Sequence, residues 1–182
     1  MFAPAQQTEL TMYTDSYIVR GTVETRERRV SDILNHAEHE FLVLREASLD
    51  EYGSRSVAVQ AEYAQVNLAS VLFAVANDYV GPAPELRMPK VPEEAMIIIP
   101  PFRITGRIHL LPERNLVDAL SELIGRFVPV TEAAFWSDTI GEARQTAAMV
   151  AVNHVRTQIF APHRVVDPWA DLRTGGSTEL GG

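Results

Sequence analysis

Two stretches of the chain alternate apolar and polar residues, which is the pattern of half-buried β-strands. These stretches cover residues 17–25 and 102–110, and the period of two predicts that one side of each strand faces a core. Each contains an interior glycine, Gly21 or Gly106. A glycine inside a strand commonly marks a bulge or the close approach of another backbone, so we expect one of these features in both strands.

The residues after each of these strands predict the same succession of elements. Apolar residues at helical spacing predict a short helix, and three apolar segments after it predict strands. In the first half the four elements cover residues 27–36, 41–47, 57–67 and 69–76, and in the second half they cover residues 112–124, 127–135, 146–153 and 155–161. Each half is therefore predicted to be a β-α-β-β-β unit.

The two halves also match position by position. Tyr17 aligns with Phe102 at an offset of 85 residues, and after one inserted residue the offset becomes 86. The repeat-defining pairs are Gly21 with Gly106, Arg28 with Arg114, Asp32 with Asp118, and Asn67 with Asn153. A single long period predicts a tandem duplication, since a solenoid needs several shorter repeats. Because a unit this small is marginal alone, we expect the copies to pair about a pseudo-two-fold axis, as in a homodimer.

The predicted fold class is α+β and mostly β, with two tandem pseudo-two-fold copies of a small β-α-β-β-β unit, each a small barrel or a sheet with a helix. We expect residues 1–13 to be a flexible N-terminus, residues 14–80 to be the first unit and residues 96–162 the second. Residues 81–95 are rich in proline and predict a linker. Residues 163–182 are predicted to be a tail whose glycine-rich end is mobile, because it buries too little surface to offset its ordering entropy.

Three motifs of the first half resemble a known pattern. Residues 29–35 read RVSDILN, residues 41–44 read FLVL, and Val66-Asn67 follow later. This resembles a family of small uncharacterised bacterial domains with an RxSDxLN helix, an FLxL strand and a late VN strand pair. The resemblance covers about residues 17–76 and recurs in weaker form over 102–161, where Val117 and Ser121 stand in place of Ser31 and Asn35. It implies a fold and no reaction.

Composition narrows the functional classes. A formal net charge of −8 argues against a general nucleic-acid binder, which usually presents a basic face. The absence of cysteine excludes disulfides, thiolate catalysis and cysteine-based metal sites. The most apolar run, residues 95–99, is far shorter than the ~20 residues of a membrane helix, and the N-terminus lacks the features of a secretory signal. We therefore expect a cytoplasmic bacterial protein without a membrane span.

No motif indicates catalytic chemistry. The run 36–40 (HAEHE) places two imidazoles near two carboxylates, but it matches neither HExxH nor HxxEH, and the second half has no counterpart. His109 and His154 occur only in the second half, without a G-x-S-x-G motif or a glycine-rich phosphate loop. We therefore expect no catalytic residue, no cofactor and no metal.

Other residues are candidates for structure or contact. Arg28–Asp32 and Arg114–Asp118 have the i, i+4 spacing of a helix salt bridge, and a ligand clamp at the pseudo-two-fold axis is the functional alternative. Apolar residues near the second variable loop and in the tail are candidates for partner contact, or for capping their own core. These residues are Phe135, Trp136, Val165, Trp169 and Leu172.

The predicted function is a non-enzymatic protein-interaction or scaffold module, either an accessory subunit of a bacterial assembly or a self-associating protein. Its partner would be another protein or a second copy of itself, and sheet edges are natural docking surfaces. The alternative is a regulatory domain that binds a small ligand between the repeats. An RNA-binding small barrel comes third, because the net charge of −8 opposes phosphate binding.

Overall fold

The strands of the chain form one antiparallel β-sheet. The structure is a computed structural model, and it describes residues 7–25, 28–36, 40–76, 89–113, 115–121 and 125–163. The strands are β1 (Gln7–Thr14), β2 (Tyr17–Glu24), β3 (Phe41–Glu51), β4 (Val59–Asn67), β5 (Val71–Ala76), β6 (Val91–Ile99), β7 (Phe102–Leu110), β8 (Phe127–Ser137), β9 (Glu142–Asn153) and β10 (Ile159–Pro162). The helices are α1 (Val30–Asn35) and α2 (Leu116–Ser121).

The ten strands form two blocks with the same internal order. Across the sheet the order is β10-β6-β7-β8-β9-β5-β1-β2-β3-β4, and each neighbouring pair is antiparallel. The first block contains β1 to β5 and the second block contains β6 to β10. In both, the fifth strand lies beside the first. The blocks meet where β9 pairs with β5, with Val152 opposite Phe73 and Val150 opposite Val75.

The predicted fold class is wrong. The structure has one continuous ten-stranded sheet in place of two β-α-β-β-β units, and each helix has only six residues. Each block also starts with a strand that the prediction lacks, β1 or β6. The pseudo-two-fold relation is wrong as well, because a two-fold axis would reverse the strand order of one block, whereas both blocks run in the same sense.

The two unpredicted strands fall largely in segments that the sequence predicts to be a flexible N-terminus and a linker. Residues 7–13, expected to be flexible, belong to β1, which lies between β5 and β2. Leu10 and Met12 are fully buried, Thr8 is buried on the same side of the strand and Thr11 is buried on the other side, so polar residues occupy buried positions and the sequence shows little alternation. Residues 91–95 of the predicted linker belong to β6, where Pro92 obscures the strand signal.

Two hydrophobic cores share the strands at the junction of the blocks. One core contains the second block together with residues of the first, among them Tyr13, Phe73 and Val75. The other contains the first block together with residues of the second, among them Phe127 and Met149. Strand β5 is consequently buried along its whole length, and so is the last part of β9. Each junction strand gives one face to each core.

Both interior glycines lie beside a bulge, at matching places in the two blocks. Between Arg20 and Thr22 the pairing of β2 with β3 shifts, and the extra residue of β3 is Glu46, whose φ is 49°. Between Thr105 and Arg107 the pairing of β7 with β8 shifts in the same way, and Glu132 also has a φ of 49°. A Cβ at Gly106 would lie 2.6 Å from Val130 Cγ1 and 2.8 Å from Thr131 O, so the bulged strand leaves room only for glycine.

Candidate docking edge

Strand β4 ends the sheet, and exposed apolar residues lie on it and just before it. Among the described residues it pairs only with β3, from Phe41 opposite Asn67 to Leu49 opposite Val59. Val57, Val59 and Tyr63 are all exposed. We call this strand with these three side chains the β4 edge. An open edge of this kind offers unpaired backbone N–H and C=O groups to another strand.

An open groove runs beside the β4 edge. Its volume is about 650 Å³. Apolar side chains of β2, β3 and β4 line it, namely Tyr17, Val19, Leu49, Val59 and Val66. Polar residues of the adjoining turns also contribute, among them Asp15, Ser16 and Ser54. The groove therefore suits apolar side chains that a docked strand would point inward, with hydrogen-bonding groups at one end.

The two asparagines that align in sequence end matching strands, but in different surroundings. The Oδ1 atom of Asn67 accepts a hydrogen bond from Ala69 N at 2.9 Å, and that of Asn153 accepts one from Val155 N at 3.2 Å. Asn153 is buried, and its Nδ2 also donates across the junction to the carbonyls of Val71 at 2.8 Å and Leu68 at 3.4 Å. Asn67 is exposed at the open edge.

The predicted helix salt bridges are not supported by the described residues. Arg28 precedes α1, and no ion pair joins it to Asp32 within the described part of the chain. Arg114 lies outside the described residues. Asp118 is exposed, and its backbone N–H donates to Asn115 Oδ1 at 2.9 Å. The ligand clamp therefore stays a prediction, since one of its four residues is outside the described part of the chain.

The partner-contact candidates fall in different places. Phe135 is buried in the core, where its ring centroid lies 5.1 Å from that of Phe73 and 5.3 Å from that of Tyr13. Trp136 is half-buried, and the Arg144 guanidinium lies 4.6 Å from the centroid of its ring. The tail candidates Val165, Trp169 and Leu172 lie outside the described residues.

The side chains of two described histidines make hydrogen bonds within the fold. His109 Nε2 lies 2.7 Å from Thr131 Oγ1, and burial, aided by the Lys90 charge, lowers the pKa of His109. His154 Nε2 lies 2.8 Å from the Gly125 carbonyl. His36 is exposed, and His39 lies outside the described residues. Over the described ranges no three metal-ligating side chains come together.

Sequence reasoning missed two polar features of the junction. Arg156 forms an ion pair with Asp15, 141 residues away, in which its Nη2 donates to both carboxylate oxygens at 2.6 and 2.8 Å. Tyr52 has a buried hydroxyl without a hydrogen-bond partner, and burial raises its pKa. No local pattern marks either feature, because both are created by distant parts of the chain.

Comparisons with known proteins do not assign this chain to a family. No helix among the described residues has the length and apolar character needed to cross a bilayer. The resemblance to the RxSDxLN family stays a prediction. No protein-family model, curated protein or solved structure matches the chain.

Proposed function

We propose that the chain is a non-catalytic protein-interaction module that docks a partner strand along the β4 edge. The observation that carries the proposal is the combination of an unpaired strand edge with exposed apolar side chains and an adjacent groove. Natural proteins usually blunt open edges with charge or cover them. An edge that keeps Val57, Val59 and Tyr63 exposed is suited to being covered by another strand.

The partner that fits is an extended segment with an apolar side chain at every second position. Its backbone would pair with β4, and its alternate side chains would enter the groove beside Leu49 and Val66. This is docking by strand addition, in which the backbone gives affinity and the groove gives specificity.

The two alternatives have weaker support. A ligand between the blocks would need space at their junction, where the rings of Tyr13, Phe73, Phe102 and Phe135 pack with centroids 4.4 to 5.5 Å apart. RNA binding would need clustered cations in a chain whose net charge is −8. Neither alternative uses the β4 edge.

The test is native mass spectrometry of the protein isolated gently from its own host, with two variants. Tyr63→Glu places a charge on the β4 edge, and Val91→Glu places one on an exposed valine of β6 as the control. Both positions are exposed, so both variants should fold. We expect wild type and Val91→Glu to carry a companion protein or further copies, and Tyr63→Glu to lose them.

Two results would overturn the proposal. One is a bare monomer for wild type at every concentration tested. The other is a monomer with added small-molecule mass that Tyr63→Glu leaves unchanged, which would favour the ligand-binding alternative.

A further inference from the structure

We propose that the strand that docks on β4 is β10 of a second copy of this chain. The copies would join head to tail, through the same contact that joins β9 to β5 inside each chain. This inference rests on the proposed function, since it takes the β4 edge as the docking surface and names its occupant. It follows from the strand order, because β4 and β10 are the two outermost strands of the described sheet.

The internal junction supplies the register. There Phe73, Ala74 and Val75 of β5 lie opposite Val152, Ala151 and Val150 of β9. The offset of 86 residues carries these positions onto the outer strands. The pairing expected between copies is Val66 with Ile159, Gln65 with Phe160, and Ala64 with Ala161. The equivalence of β10 with β5 is supported by their neighbours, since β10 pairs with β6 as β5 pairs with β1.

Exposure at the β4 edge has the pattern that a missing neighbour would produce. Tyr63 is 66% exposed, whereas its counterpart at the internal junction, Met149, is 1% exposed. Phe41 is 44% exposed, whereas its counterpart Phe127 is 2% exposed. In the second block these positions are covered by the first block, including α1. The first block keeps the apolar residues but has nothing over them among the described residues.

Strand β10, at the other end of the sheet, is also more exposed than its counterpart at the internal junction. Ile159 is 54% exposed, whereas its counterpart Phe73 is 0% exposed. The Phe73 ring packs on Phe102 at 5.0 Å and on Phe135 at 5.1 Å between centroids. The counterparts of these two rings are Tyr17 and Leu49, and both line the groove beside β4. The groove therefore occupies the place that Phe73 fills at the internal junction, and Ile159 of another copy is the side chain that enters it.

Some polar contacts of the internal junction have no equivalent between copies. Asn35 exchanges two hydrogen bonds of 2.8 Å with the backbone of Phe127, but its counterpart is Ser121, whose hydroxyl donates to Val117 O. The Asp15–Arg156 ion pair has no counterpart either, since Pro100 and Ser70 occupy these positions. The contact between copies should therefore be weaker than the internal one and depend on concentration.

Because both blocks run in the same sense, the contact is heterologous. One edge is used on each copy, and every added copy presents the other edge again. Such contacts close into a ring or continue as a filament, and no two-fold axis passes through any one of them.

Cysteine cross-linking tests the register directly, since the chain has no cysteine of its own. Separately made Ala64→Cys and Ala161→Cys proteins are mixed under mild oxidation and examined for a covalent heterodimer. Directly opposed residues of an antiparallel pair are close enough for a disulfide. The control is Gln65→Cys with Ala161→Cys, because a shift by one residue points the side chain to the other face.

We expect the Ala64→Cys and Ala161→Cys mixture to give the heterodimer at least tenfold faster than the control mixture. Equal rates in the two mixtures would overturn the proposed register. Preferential linking of Ala64→Cys to itself would show two-fold pairing of β4 with β4, and would overturn the head-to-tail contact.

Sedimentation over a concentration series provides the second test. Ile159→Glu should raise the concentration at which copies associate by at least tenfold. Val43→Glu should not, because Val43 is exposed on β3 and its counterpart Pro129 stays exposed beside the internal junction. If Ile159→Glu has no effect while Tyr63→Glu abolishes binding of a companion protein, self-association is wrong and the proposed interaction function stands. If neither change affects any association, both are wrong.

Discussion

Asn153 provides a measurable test of what holds the two blocks together. The perturbation is Asn153→Ala, with Asn67→Ala as the matched change in the other block. Both substitutions remove the hydrogen bond that shapes the turn, to Val155 N or to Ala69 N. Only Asn153→Ala also removes the bonds that cross from the second block to the Val71 and Leu68 carbonyls.

The structure sets the expected magnitude. A hydrogen bond contributes ~0.5–1.5 kcal/mol net, and a buried group left without its partner costs ~1–3 kcal/mol. Asn153 makes three bonds, one of them long at 3.4 Å, and it is buried, so its loss should cost about 2–3 kcal/mol. Asn67 makes one bond at an exposed site, so its loss should cost about 0.5 kcal/mol.

The assay is urea unfolding followed by circular dichroism, at low protein concentration so that association does not contribute. For a chain of this size, a difference of about 2 kcal/mol places the Tm of Asn153→Ala roughly 4–8 °C below that of Asn67→Ala. The dependence of the unfolding free energy on urea should stay unchanged. If the two variants differ by less than about 0.5 kcal/mol, the bonds across the junction do not stabilise the fold as argued.

Two other predictions concern the second block. Gly106→Ala should destabilise by about 1–3 kcal/mol in thermal unfolding, since its Cβ would meet the backbone of the bulged strand at 2.8 Å. Gly141→Ala has open space and a φ of 72°, so it should cost only about 1 kcal/mol, and an equal cost for both would refute the packing argument. For His109, the lowered pKa in the folded chain means that the unfolded chain binds the proton more readily, so stability falls as the pH drops below 6.5. His109→Gln should flatten this part of the pH profile of unfolding, and a profile unchanged from wild type would contradict it.

The sequence anticipated several features whose causes are local. Strand β7 covers the residues that its alternation predicts, and β2 differs from its predicted range by one residue. The interior glycines lie at bulges because no larger side chain fits beside the bulged strand. Asn67 and Asn153 shape turns because a short amide side chain accepts a hydrogen bond from the backbone two residues on.

Only the tertiary structure decided how the halves combine. Strand β1 has a weak pattern of its own because both of its sides are covered, one by each core. The choice between a two-fold pair and a head-to-tail order depends on which edges meet, and residues 73 and 152, far apart in the chain, make that contact.

The exposed residues at the two sheet edges also depend partly on the sequence and partly on the tertiary structure. The sequence by itself determined the apolar residues Phe41, Tyr63 and Ile159, and the offset of 86 residues gives each of them a counterpart in the other half. The sequence could not show that these three residues are exposed while their counterparts are buried, because burial depends on which strand has a neighbour. A strand's pattern reports its two faces, whereas the sheet order determines whether its edge is covered.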